Sequence, residues 1–178
     1  MNNTTAGIKN GLLVLLLILS NTLYAQTSLN IQLPSATDNT QFNLKKERGK
    51  FIALHFLLKT ECPYCIKHTQ EYFAKAGTLK NVKQIFIKPD SEQEIREWAK
   101  KLTKTDQAKF PIYRDIDAKL AKQLKIPNGY RFHNQTVHYP ATILINPKGE
   151  EIYRYVGKNN TDRLSFDQLA AKVKEFSR

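Results

Sequence analysis

Sulfur is scarce in this chain, with two cysteines and one methionine among 178 residues. Both cysteines fall within Cys62-Pro63-Tyr64-Cys65, so no framework of long-range disulfides is available, and the second C-x-x-C that would complete a usual zinc set is missing. Acid is short as well: 16 Asp and Glu against 28 Lys and Arg leave a formal charge of +12. Such a balance suits acidic partners, membrane surfaces or nucleic acid. The lysines are nevertheless scattered (Lys80, Lys83, Lys88, Lys100, Lys101, Lys104, Lys109) rather than gathered in a dense tract. That pattern reads as a solvated surface, and no nucleic-acid partner is expected.

Long apolar runs are also lacking. The longest, Leu12 to Leu19, is less than half of the about 20 residues that span a membrane. It follows Lys9 and precedes a polar stretch ending Leu23-Tyr24-Ala25, which is the order of a secretory signal peptide. Residues 1–25 are therefore expected to be a cleaved leader and 26–178 one mature domain, periplasmic or secreted, without stable membrane insertion. No cysteine follows the apolar run, which argues against a lipid anchor. In an oxidising compartment stray thiols tend to pair, so a lone C-x-x-C there points to use.

What is present alternates between strand and helix patterns. A Leu29-Ile31-Leu33 alternation predicts a short edge strand, and Phe51 to Leu58, almost wholly apolar, predicts a strand buried on both faces of a parallel sheet. Ile66, Thr69, Tyr72, Phe73 and Ala76 then recur at helical spacing. Val82 to Lys88 predicts a second strand, and Ser91 with Glu94 opens a helix carrying Ile95, Trp98, Ala99 and Leu102. An extended piece at Phe110–Tyr113 and a helix over 116–124 follow. Pro127-Asn128-Gly129 predicts an irregular stretch to His138. Residues 141–145 and 151–156 flank Asn146-Pro147-Lys148-Gly149 as a β-hairpin, and Ser165 with Gln168 starts a last helix ending near Phe176. The order predicts an α/β fold, a central mixed sheet flanked by helices.

The dithiol sits where a strand meets a helix. At a helix N-terminus unpaired N–H groups and the dipole favour negative charge and lower a thiol pKa, so Cys62 is the candidate attacking thiolate. Cys65, one turn further in, is the candidate resolving thiol. Pro63 suits a first helical turn, where the N–H it lacks would have no partner, and Tyr64 should be partly exposed beside the reacting sulfur. A closed loop this short would stabilise little as a purely structural disulfide.

On strand-Cys62-Pro63-Tyr64-Cys65-helix, and on Tyr139-Pro140-Ala141-Thr142 ahead of the hairpin with Gly149, the chain resembles the thioredoxin superfamily. The branch is that of redoxin and AhpC/TSA-like proteins, over roughly residues 30–176. The tetrad itself is similar to that of glutaredoxins, and Tyr155-Val156-Gly157-Lys158 through Asp162-Arg163 resembles redoxin C-termini. The resemblance implies a thioredoxin-like fold, with Pro140 as a cis-proline facing the dithiol and Tyr139 bordering a substrate groove. It also implies exchange with protein or small-molecule thiols and disulfides, an unidentified redox partner, and no cofactor.

Departures from the family matter. Thioredoxin's buried aspartate corresponds to Phe56 and its tryptophan before the first cysteine to Glu61. His68 stands where some exported relatives carry a glutamate, which makes it a candidate for proton transfer with Cys65; an exposed helix histidine is the plain alternative. His55 reads as packed. Peroxiredoxins align their peroxide-reactive cysteine with Cys65, but their proline, threonine and arginine correspond here to Leu58, Cys62 and Pro140. A peroxiredoxin-like thiol peroxidase is thus the alternative function. A copper-binding assembly factor using both cysteines and His138 is a second one.

Overall fold

The computed structural model describes residues 29–59, 62–102, 110–132 and 135–178; the leader expected over 1–25 lies outside them. Strands are β1 (Gln32–Pro34), β2 (Gln41–Asn43), β3 (Phe51–Phe56), β4 (Val82–Lys88), β5 (Ile112–Arg114), β6 (Asn128–Phe132), β7 (Gln135–His138), β8 (Ala141–Ile145) and β9 (Glu151–Val156). Helices among the described residues are α1 (Pro63–Lys75), α2 (Glu92–Ala99), α3 (Lys119–Gln123) and α4 (Phe166–Phe176).

The central sheet runs β5-β4-β3-β8-β9. β3 pairs parallel with β4 and antiparallel with β8, and β8–β9 is the expected hairpin. Every residue of β3 is buried because period-two alternation sends its side chains into two separate cores. Ala53 and, past the strand end, Leu57 join Tyr72, Phe73, Ile95, Trp98, Leu169 and Val173 on the face covered by α1, α2 and α4. Ile52, Leu54 and Phe56 join Ile31, Leu33, Phe42, Leu44, Leu120 and Leu124 on the other, under β1, β2 and α3. An apolar run with both faces covered has no polar side to show.

Local signals set the helix ends. Ser91 with Glu94, and Ser165 with Gln168, both form reciprocal capping boxes, satisfying N–H groups that have no partner inside the helix. The hairpin turn closes through Gly149, whose N–H reaches Asn146 O at 2.8 Å with φ +80°; there a side chain would strain the backbone and collide with Arg48.

Two expectations are corrected. Residues 128–138 are not irregular: β6 and β7 pair antiparallel. Gly129 is a packing residue rather than a breaker, since a Cβ there would lie 2.9 Å from the Tyr139 ring. The expected short edge strand starts at Gln32 rather than Leu29 and pairs with β2, where Phe42 stands opposite Leu33; just beyond it Ser35 bridges to Tyr113 of β5. No helix among the described residues is long and apolar enough to cross a membrane.

Candidate active site

Cys62 caps α1. Its Sγ accepts the Cys65 backbone N–H at 3.2 Å, and Pro63 occupies the first turn. Leu57 N–H extends the β3 ladder to Ile87 O at 2.8 Å, and Cys62 N–H donates to Lys59 O at 3.1 Å. Both cysteines are free thiols. Cys62 is partly exposed, whereas Cys65 has no accessible surface and its Sγ accepts the Leu58 N–H at 3.3 Å. Tyr64 is 47% exposed beside them, as its place on the outer face of the first turn implies.

The two thiols are different acids. The Cys65 side-chain hydrogen bond lowers the Cys62 pKa most, against the opposing effect of burial; the Arg163 guanidinium, the Cys65 N–H and the Lys88 ammonium add to it, bringing Cys62 to about 6. Burial pushes Cys65 well above the ordinary thiol value, and its bond to Cys62 adds to that, while Arg163 and Lys88 pull the other way. At neutral pH the proton resides on the inner sulfur.

Arg163, which ends the stretch that resembles redoxin C-termini but carried no expected role, reaches both sulfurs. Its Nη2 donates to Cys62 Sγ at 3.2 Å, Cys65 Sγ at 3.3 Å and Asn160 O at 3.2 Å. The loop between β9 and α4 aims it. Gly157 N–H donates to Pro140 O at 2.8 Å, and a Cβ at 157 would lie 2.1 Å from Asp162 O. Asn159 Oδ1 accepts the Thr161 and Asp162 N–H groups, and Asp162 bonds both Lys158 N–H and the Tyr155 hydroxyl. The contact to Cys62 spans 101 positions, and the resemblance of residues 155–163 to redoxin C-termini does not say that this arginine turns inward.

Lys88 is the second cation of the site. It is fully buried at the end of β4, with Nζ donating to Leu58 O at 2.5 Å, 3.5 Å from Asp90 and 4.5 Å above the Trp98 ring. A buried ammonium requires this combination of carbonyl, carboxylate and aromatic face.

His68 is buried rather than exposed, and its hydrogen-bonding partner is His55: Nε2 lies 3.3 Å from His55 Nδ1, while His55 Nε2 lies 2.7 Å from Gln84 Oε1. Burial lowers His55 to about 4 and His68 well below its ordinary value, so both rings are neutral. With Gln84 Oε1 as acceptor, His55 Nε2 carries its proton and His55 Nδ1 is the acceptor that His68 Nε2 and the Thr142 hydroxyl, at 3.4 Å, both approach. His55 is packed, as expected, stacked on Phe86 at 4.8 Å.

Pro140, Thr142, His68 and Arg163 line one small cavity. The Pro140 bond is corrected to trans, as no described peptide bond is cis. Hydrogen bonds on both sides, Tyr139 N–H to Pro127 O and Gly157 N–H to Pro140 O, are met by this form, which is also the lower in energy. Tyr139 lays its ring on Gly129. His138 is buried and hydrogen-bonded through Nδ1 to Tyr139 O at 2.7 Å, and it lines a separate cleft of about 540 Å³ with Lys59, Asp90, Arg114 and Asp117. Among the described residues no group of three His, Cys, Asp or Glu side chains is placed to hold a metal ion, which leaves the copper reading without a ligand set.

A sequence profile of the AhpC/TSA family matches residues 25–153. No curated protein is significantly similar. Among solved structures, a cysteine mutant of Xylella fastidiosa peroxiredoxin Q superposes with a TM-score of 0.69 at 17% identity, covering 85% of this chain and 92% of that one. A cysteine mutant of Arenicola marina peroxiredoxin 6 gives 0.71 at 15% identity, over 84% and 70%. The exposed lipoprotein thioredoxin of Streptococcus pneumoniae gives 0.61 at 19% identity, over 83% and 99%. At these identities the likeness is one of fold, and that fold is thioredoxin-like.

Proposed function

Because the chain belongs to the AhpC/TSA family and is thus a thiol-based redox enzyme, we propose that it is an exported thiol-disulfide oxidoreductase in which Cys62 attacks and Cys65 resolves. The observation that carries this reading is the asymmetry of the pair. The outer thiol is accessible and held near pKa 6, while the inner one is buried and held protonated. A nucleophile needs both thiolate character and access.

Cys62 Sγ attacks a client disulfide, forming a mixed disulfide and releasing one client thiolate. Cys65 then attacks Cys62 Sγ, releasing the second and leaving the Cys62–Cys65 disulfide. A redox partner returns the electrons. Pro63 and the exposed Tyr64 border the approach to Cys62, with Tyr139 and Pro140 as the further wall of the client groove. His68, buried and one helical turn beyond Cys65, is the residue proposed to exchange protons with the inner thiol. The periplasm or cell exterior is the proposed location. In the Cys65→Ser variant, mixed disulfides should accumulate; in Cys62→Ser few should form. The reverse pattern would sink the assignment.

Thiol peroxidase activity is the second reading, favoured by the Arg163 N–H group at Cys62, a cationic donor able to polarise a peroxide. The peroxiredoxin pattern would make Cys65 the reactive sulfur, and that is the inaccessible one. Rapid peroxide consumption persisting in Cys62→Ser would establish this reading over disulfide exchange.

A further inference from the structure

Arg163 lies outside the span matched to the family, residues 25–153, yet it is the side chain in contact with both sulfurs. We propose that Arg163 is a catalytic residue of both exchange steps, a single guanidinium nitrogen stabilising negative charge first on Cys62 and then on Cys65. This rests on the reading of the chain as a dithiol exchanger.

The two steps place opposite demands on the site. In the first, the Cys62 thiolate attacks R–S–S–R′; the client S–S bond breaks, Cys62–S–S–R forms, and R′–S⁻ leaves with the electron pair. Cys62 is now neutral, and the hydrogen bond that Cys65 gave to the thiolate has lost its charged acceptor. In the second, Cys65 gives its proton to His68 and attacks Cys62 Sγ, breaking the bond to R and expelling R–S⁻. The protein has lost two electrons, and the two client thiolates become thiols with the proton from Cys65 and one taken from water. During that second attack charge develops on a sulfur that burial disfavours as an anion. A cation already 3.3 Å away offsets this without reorganising.

Geometry makes one group sufficient. The same Nη2 lies 3.2 Å from one sulfur and 3.3 Å from the other, so the charge passes between sulfurs within reach of a fixed donor. The same Nη2 also donates to Asn160 O within the loop, and among the described residues Arg163 forms no ion pair with a carboxylate that would divert its charge. The loop that carries it has further anchors in Gly157, Asn159 and Asp162. Substitution at 163 therefore alters the charge while the loop keeps its anchors.

The test uses the reduced full-length protein and 2,2′-dithiodipyridine, an uncharged disulfide that releases one thiopyridone when Cys62 attacks and a second when Cys65 resolves. In Arg163→Met the first release should slow several-fold and the second by about tenfold or more, and the pH profile of Cys62 alkylation should move upward. Arg163→Lys should recover much of both rates. Arg163→Gln, which keeps an N–H donor without the charge, should behave like Met. A second release unaltered in both Met and Gln variants, with urea midpoints near wild type, would overturn the proposal. Full activity in the Gln variant would do the same, because hydrogen bonding without charge would then suffice. A wild-type protein that releases no second thiopyridone would instead defeat the dithiol reading itself.

Discussion

Cys62 and Cys65 sit three residues apart on one helix end and act as different acids because only one is shut away from water. Alkylation of Cys62 by iodoacetamide should reach half its maximal rate near pH 6 and plateau above, following the thiolate. In Cys65→Ala that midpoint should rise, because the largest stabiliser of the thiolate is the side chain removed; a midpoint unchanged in this variant would refute the assignment. Lys88 invites a stability measurement. Lys88→Met withdraws one of the two cations beside the buried Asp90, and breaking a buried pair costs about 3–5 kcal/mol. Urea unfolding of Lys88→Met and of the double variant with Asp90→Asn checks this, the double being expected to recover part of the loss. The placing of the dithiol at a strand–helix junction was legible from an apolar run followed by a helical pattern. Arg163 and Lys88 were not, since a charged residue that points inward from a distant loop or a strand end leaves the same trace in sequence as one that points out.

Elements with strong internal signals were read correctly. β3 announced itself as an apolar run, α1 by its spacing, and α2 and α4 by Ser-x-x-Glu and Ser-x-x-Gln starts that form the capping boxes. Ser165→Ala should cost about 1 kcal/mol through the lost cap, readable as a lowered urea midpoint with an unchanged slope. The β6–β7 pair escaped because Pro127 and Gly129 look like punctuation, and Gly129 owes its identity to a ring ten residues away. Gly157 is the analogous case at the site. Gly157→Ala should destabilise by about 1–3 kcal/mol from overpacking and should also raise the Cys62 pKa, since Asp162 must move and Arg163 follows it. A variant that loses stability while the thiolate titration stays put would show that the loop does not position the arginine.

For the whole molecule, the neutral His55 and His68 rings tie stability to pH. Unfolded, each histidine titrates near 6.5; folded, His55 does so near 4. Between these values the unfolded chain binds protons that the folded chain refuses, so stability falls as pH drops through the window. For His55 alone the full effect is about 3 kcal/mol at 1.36 kcal/mol per unit. Urea midpoints should therefore fall steadily from pH 7 to pH 4, and a flat profile would mean that the rings are charged in the native state. The mixed sheet behind this core also decides how the active site is braced. Arg163 is fastened through Gly157 to Pro140 and through Asp162 to Tyr155, hence to β8 and β9, whereas both sulfurs ride on the first turn of α1. The two sulfurs thus belong to one element and the cation that bridges them to another, so the contact between α1 and the β9–α4 loop, not either element alone, sets the charge environment of both thiols.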